Sequence, residues 1–510
     1  MAEVTNKKRR GRPPKNKAET KQNIEIVGGD RPIGGRGRKA VESDKKPVVK
    51  KTATAKTKQP KQAKSKSDMP KIGVVSLGCD KNRVDTETML TRLKTAGYLF
   101  TADPKDADAI IINTCCFIRS ARDESEDAIA EMIEYKTKGK CKFIIVTGCL
   151  AQFDMKSVQN EFPEADAIIG INEYKNITKI VDNLFGSNKR VRKNNSPECV
   201  DWVCNRVTTT APYVSYLKIA DGCNNFCSFC TIPYIRGRYR SRTIESLVKE
   251  AEGLAAAGTK ELILVAQDTT RYGIDIYGKP MLVELLKKLS KIEGIVWIRL
   301  LYCYPEMVSD ELIDEIFDNP KVCKYIDVPF QHVSNNVLKR MNRHCTYDQT
   351  RELILKLKSH GQFVSIRTTY MVGFPGETKK DFKILYNFIK GNRLTNVGFF
   401  KYSREPGTQA YDFDDQVDEA TKNKRLIKLV KLQKKKHRQV AAMNHVGKTY
   451  KVVCEGFDKE RKMYVGRSQY QAPEIDTSIY FSSKKPLAVG EFYNVLIKKL
   501  SDYDIEGEVL

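Results

Sequence analysis

Three cysteines in one short loop, Cys223-Asn-Asn-Phe-Cys227-Ser-Phe-Cys230, constrain this chain more than any other feature. Thiolates are soft ligands that suit iron–sulfur clusters, and three in a tight loop can hold three irons of a [4Fe–4S] cubane. The fourth iron is then open. A fold that carries such a loop must present it at an accessible edge, beside room for whatever takes the open iron. A zinc loop is the alternative, but structural zinc closes four ligands in C-x₂₋₄-C pairs. No fourth Cys or His lies nearby after Cys230.

The molecule that takes the open iron in radical enzymes is S-adenosylmethionine, through its amino and carboxylate end. One electron from the cluster then yields a 5′-deoxyadenosyl radical, and the protein's share is to bind and orient. A second cysteine group lies upstream. Apolar runs at Ile72–Leu77, Ala109–Asn113 and Phe143–Thr147 read as buried parallel strands with helical stretches between them. Cys79, Cys115 and Cys149 each follow one of these runs. The carboxyl ends of such strands are where open α/β sheets bind ligands, so three thiols can converge there. Buried structural cysteine is the alternative for any one of them. Cys116 competes with Cys115, and Cys141 precedes its strand. Cys141, Cys199, Cys204, Cys303, Cys323, Cys345 and Cys454 are scattered and read as structural or incidental.

Charge divides the chain. Residues 1–70 hold 21 Lys and Arg against 7 Asp and Glu, whereas the remaining 440 hold 68 against 56. Residues 1–69, poor in aromatics, cannot offset their ordering entropy and read as a disordered basic tail. Lys8-Arg9-Arg10-Gly11-Arg12-Pro13-Pro14-Lys15 resembles an AT-hook, although non-specific nucleic-acid contact by the tail is the plainer reading. Residues 186–210 read as a polar linker. A second α/β stretch, Ala211 to Tyr411, suggests a complete or partial barrel whose chemistry sits at the C-terminal strand ends. Residues 416–445 read as a basic helix, either a solvated face or an RNA contact. From Lys448 onwards, short strands suggest a small β-barrel. No apolar run spans a membrane and no signal-peptide core is present, so a cytoplasmic protein without a membrane is expected. In a reducing compartment, 14 cysteines argue for metal ligation over disulfides.

Within the barrel, Gln267, Asp268 and Thr269 follow a strand and could contact the cofactor. Gly373 and Gly376, in Gly373-Phe374-Pro375-Gly376-Glu377, could let a backbone approach it closely, or could simply make a tight turn. Arg299 and Arg367 lie on strands and need anionic partners, either a cofactor carboxylate or an ion pair within the chain.

Two three-cysteine groups followed by a small β-barrel resemble the radical-SAM methylthiotransferase family over Lys71 to Leu510. The matching stretches are Ser76-Leu77-Gly78-Cys79, Asn113-Thr114-Cys115, Thr147-Gly148-Cys149, Cys223 through Cys230, and Gly373 through Glu377. The resemblance implies an α/β multidomain fold. A flavodoxin-like domain would span 70–185, a radical-SAM partial (βα) barrel 209–440, and a TRAM-like β-barrel 443–510. It implies two [4Fe–4S] clusters, one at Cys223, Cys227 and Cys230 making the radical and an auxiliary one at Cys79, Cys115 and Cys149 supplying sulfur. A second S-adenosylmethionine would give the methyl group, and an electron donor and a sulfur donor would serve as partners. One branch of the family modifies tRNA adenosine. Another, the RimO branch, modifies an aspartate side chain of ribosomal protein uS12. Ser76 through Asp85, Tyr302-Cys303-Tyr304-Pro305, Gly466-Arg467-Ser468 and Ala472-Pro473-Glu474-Ile475-Asp476 look like the second. Charge points the same way. Residues 441–510 hold 10 Lys and Arg against 10 Asp and Glu, a neutral barrel that suits a protein substrate better than tRNA, and the partner so implied is uS12 or the small ribosomal subunit that carries it.

Overall fold

A run of apolar residues flanked by glycine makes a parallel strand only if both its faces are covered, and the first domain is built on this rule. In the computed structural model, which describes residues 69–195, 205–394, 396–501 and 504–510, six strands form one parallel sheet in the order β2-β1-β3-β4-β5-β6. They are β1 (Lys71–Ser76), β2 (Leu99–Thr101), β3 (Ala109–Thr114), β4 (Phe143–Gly148), β5 (Ala167–Ile169) and β6 (Val191–Lys193). Helices α1 (Asp80–Thr95), α2 (Arg119–Thr137), α3 (Cys149–Phe153), α4 (Met155–Glu161) and α5 (Ile177–Ser187) connect them. Every residue of β3 and β4 is buried. The strand order reverses between β1 and β3, and a sheet of this kind opens a crevice there at its carboxyl edge.

The barrel is open. Strands β7 (Val214–Lys218), β10 (Glu261–Val265), β11 (Trp297–Leu300), β12 (Val322–Asp327), β13 (Ser365–Val372) and β14 (Asn396–Lys401) pair in parallel in that order. A two-residue ladder, β8 (Ala220–Asp221) with β9 (Arg240–Ser241), frames the cysteine loop. Helix α6 (Ile232–Arg236) leaves that loop. Helices α7 (Ile244–Ala256), α8 (Ile274–Tyr277), α9 (Leu282–Leu289), α10 (Asp310–Asp318), α11 (Asn335–Arg340), α12 (Tyr347–Ser359) and α13 (Lys379–Gly391) follow in turn. The long α14 (Glu419–His445) runs on to a closed five-stranded barrel of β15 (Thr449–Asp458), β16 (Met463–Ser468), β17 (Ile479–Ser482), β18 (Phe492–Ser501) and β19 (Asp504–Val509).

Several elements differ from the sequence reading. The three-residue strands β2 and β5 are too short to show a period. Strand β6 falls inside the expected linker, because its pairing with β5 is non-local. Strand β19 alternates Ile505, Gly507 and Val509 with acidic residues, and it closes the last barrel against β17 and β18. The basic tail with its AT-hook-like motif, together with Cys199 and Cys204, lies outside the described residues. No described helix is long and apolar enough to cross a membrane.

Two histidines are buried in this frame. His332 accepts at Nδ1 from the Ser334 N–H (2.9 Å), and His445 meets the Tyr450 hydroxyl (3.0 Å). Burial pushes the first down to about 3 and the second down to about 4. Both folded values lie below that of an unfolded histidine, so the unfolded chain takes up protons first. Their contribution is complete above about pH 6.5 and is lost as the pH falls, by about 2 kcal/mol each at pH 5. Urea unfolding of the metal-free protein should show this acid slope, and His332→Gln should remove roughly half of it. Equal slopes for the two proteins would contradict the assignment.

Candidate functional site

Each cysteine of the first group sits within three residues of the end of a strand. Cys79 follows β1 and is exposed, Cys115 follows β3, and Cys149 opens α3 directly after β4. Two glycines make the turns. Gly78 has φ +85°, and a Cβ there would lie 2.7 Å from Cys115 Cβ and 2.8 Å from its Sγ. Gly148 has φ +99°, and a Cβ there would run into the backbone of Thr114. Any side chain at either position would push the loops apart. Burial, then Cys149 and Cys79, push the Cys115 thiol up to about 12, and burial also raises Cys149. Cys116, the rival ligand, is buried in the same apolar cluster as Cys149, with Ile129 and Met132, and burial raises its thiol well above the ordinary value.

The second group lies at the carboxyl edge of the open barrel. Cys227 Sγ is 3.1 Å from the Tyr304 hydroxyl, and the Arg343 guanidinium stacks 3.9 Å over the Tyr304 ring. Burial pushes Cys223 up to about 12. Asn225 donates to Asp268 (2.9 Å), and Gln267 donates to Asp221 (3.0 Å). Asn225 Oδ1, Gln267 Oε1 and Arg343 Nε are buried without a hydrogen-bond partner among the described residues. Orphaned buried polar atoms beside a thiol loop fit a cofactor that carries amino, carboxylate and hydroxyl groups. No three His, Cys, Asp or Glu side chains among the described residues gather around one point closely enough for a single ion. A cubane, by contrast, spreads its thiolates over separate irons.

A buried charge cluster joins the two groups. Asp85 of α1 and Asp221 of β8 both pair with Lys218 and Arg236. Arg236 Nη2 also reaches Cys149 Sγ (3.6 Å) and Asn82 Oδ1 (3.4 Å). Burial works against the Asp221 carboxylate, but Arg236 and Lys218 hold it below the ordinary range. Arg236 lies six residues after Cys230, so one short stretch supplies both a thiol group and its link to Cys149. The sequence reading missed Arg236, because its partners Asp85 and Asp221 lie 151 and 15 residues away and no local spacing joins them.

Four stretches carried the resemblance to the aspartate-modifying branch, and three of them meet at this edge. Arg83 makes a bidentate pair with Glu474 (3.1 and 3.2 Å). The Tyr302 hydroxyl donates to Asp80 (3.2 Å), and the Lys81 ammonium stands 3.0 Å over the Tyr302 ring. Tyr325 donates to Asp476 (2.7 Å). The loop at Ala472–Asp476 therefore packs against α1, one turn from Cys79.

Three expectations are corrected here. Arg299 does not reach the cysteine edge. It is fully buried at the opposite end, bonded to Glu261 (2.7 Å) and to the Gln469 carbonyl (2.8 Å). Arg367 pairs with the chain's own Asp327 (3.1 Å) and Asp476 (3.6 Å). The space beside Gly373 is filled by Lys422, and beside Gly376 by Arg340 and Asp415, so both glycines make room for packing and a tight turn within the chain. Gln267 keeps a buried polar atom, Oε1, without a hydrogen-bond partner among the described residues.

Comparison with known proteins agrees with this layout. Residues 71–170 match the Uncharacterized protein family UPF0004, 217–389 the Radical SAM superfamily, and 446–510 the TRAM domain. The chain is 48% identical over 441 residues to the ribosomal protein uS12 methylthiotransferase RimO of Clostridium botulinum (strain Eklund 17B / Type B), covering 86% of this chain and 98% of that one. It is 48% identical to the protein of that name from Clostridium kluyveri (87% and 98% covered) and 45% identical to that from Acetivibrio thermocellus (86% and 98% covered).

Proposed function

The chain belongs to the RimO family of radical S-adenosylmethionine methylthiotransferases, and from that premise we propose that it transfers a methylthio group to the β-carbon of an aspartate in ribosomal protein uS12. Cys223, Cys227 and Cys230 hold one [4Fe–4S] cluster in this reading, and Cys79, Cys115 and Cys149 hold a second. When bound, these clusters and S-adenosylmethionine supply the carbon radical, the sulfur and the methyl group.

The chain's own residues bind, orient and shield. Arg236, fixed by Asp85 and Asp221, holds the Cys149 sulfur in place. Tyr304 and Arg343 do the same beside Cys227. Burial of Cys115 and Cys149 keeps water from the inner side, while exposed Cys79 leaves one open approach. Unreactive β-hydrogens beside a carboxylate need a radical, since no side-chain base removes them. The single observation that carries the reading is the pair of three-cysteine groups at the carboxyl ends of two parallel sheets, with buried Arg236, six residues after Cys230, reaching the Cys149 sulfur. The charge-neutral last barrel supports a protein target.

The test is mass spectrometry of uS12 and of tRNA from cells with and without the gene. Loss of the methylthio mass from the uS12 aspartate alone is expected. Loss from tRNA with uS12 unchanged would end this reading.

A further inference from the structure

Much of the net cationic charge of the ordered domains lies on one helix. Helix α14 holds nine Lys and Arg against the single Glu419, a net of +8, when residues 71–510 as a whole carry +12. Two of the nine point inward and are structural, since Lys422 bonds to the Tyr402 carbonyl and Arg425 to Glu377. The buried face of the helix is Lys422, Arg425, Leu429, Gln433 and Val440. On the opposite side, Lys424, Lys428, Lys431 and Lys435 are all exposed. Their spacing of four and three residues keeps them on one stripe, roughly 17 Å long at about 1.5 Å per residue.

Helix α13 packs beside α14 and extends this stripe. Lys379, Lys383 and Lys390 are exposed, with Tyr386 set between them at the same helical spacing. The Lys428 ammonium lies 4.7 Å over the Tyr386 ring, so the two rows adjoin. No acidic side chain opposes them from either helix. Asp381 is buried as a cap for α13, and Glu419 pairs with Lys401 and Lys422. A solvated helix face usually mixes both signs; a two-helix face with exposed cations alone, and an aromatic ring among them, matches a phosphate backbone.

We propose that the α13–α14 face docks on ribosomal RNA and holds the enzyme on the small ribosomal subunit while the cysteine edge meets its target. This rests on the uS12 reading above. It divides the labour: the neutral last barrel and the cysteine edge meet protein, and the paired helices meet RNA.

The test uses the full-length reconstituted enzyme and its K424Q/K431Q/K435Q variant. Binding to purified small subunits is measured across a salt series, alongside methylthio transfer to free uS12. The variant should bind subunits about tenfold more weakly or worse at 0.1 M salt, with a salt slope lower by about 0.9 for each lost phosphate contact. Transfer to free uS12 should be unchanged. Because both proteins keep the N-terminal tail, its contribution cancels. Wild-type affinity and slope in the variant would overturn the proposal. So would loss confined to tRNA, or to phosphatidylserine vesicles, with subunit binding intact. If wild-type enzyme modifies uS12 neither free nor in the small subunit, the substrate reading fails instead, and the binding result still decides this face.

Discussion

Cys149→Ala should lower the iron bound after anaerobic reconstitution from about eight to about four per chain, since each cubane holds four. Reductive cleavage of S-adenosylmethionine should survive, and methylthio transfer should stop. Cys149 is chosen because it is buried between Gly148 and Arg236, where no neighbouring thiol except Cys116 could replace it. Cys227→Ala should give the complementary result, with about four irons retained and cleavage abolished. Cys116→Ala is the control, since Cys115 and not its neighbour Cys116 is the ligand in this reading. Eight irons in the Cys149 variant, or four in the Cys116 variant, would reassign the auxiliary site. Iron and acid-labile sulfide analysis with single-turnover cleavage decides among these outcomes.

The six proposed ligands were legible because the signals were local. One triplet is a single loop, and the other is a repeated strand-then-cysteine pattern whose strands are apolar runs. The last barrel was legible in part, as alternation between turns. What escaped the sequence was long-range. Helix α1 buries Lys81, Asn82, Asp85, Thr86 and Glu87 against the rest of the molecule, so its polar pattern gave no hint that it lies at the centre. Arg83 meets Glu474 across 391 residues, a pairing that no local spacing encodes. Arg299 illustrates the limit most clearly. A buried arginine on a barrel strand demands an anion, but the sequence cannot say whether that anion belongs to a cofactor or to the next strand. Here Glu261 satisfies it.

That same carboxylate carries the second large effect. Glu261 opens β10 and is 1% exposed. Its Oε1 accepts from Arg299 (2.7 Å) and its Oε2 from Arg467 of the last barrel (2.8 Å), so one side chain binds two domains. Arg467 also bonds to Glu455 (2.9 Å) and to the Gln471 carbonyl (3.1 Å). Glu261→Ala leaves buried Arg299 without a carboxylate and Arg467 with Glu455 alone, and should cost about 3–5 kcal/mol. Removing the exposed Lys498–Glu508 pair should cost about 0–1 kcal/mol. Burial opposes the Glu261 charge, but Arg467 and Arg299 hold its pKa below the ordinary carboxylate value. The folded value therefore lies below the unfolded one, and the contribution is complete above about pH 4.5 and lost only as the pH falls through the folded value. The deficit of Glu261→Ala should accordingly be the same at pH 6 and pH 8. A triple variant, E261M/R299M/R467M, should recover part of it, because apolar side chains of similar volume leave only Glu455, which is one-quarter exposed, without its partner. Urea unfolding of the metal-free protein measures all three. A single variant within about 1 kcal/mol of wild type would show that the clamp contributes no more than a surface pair.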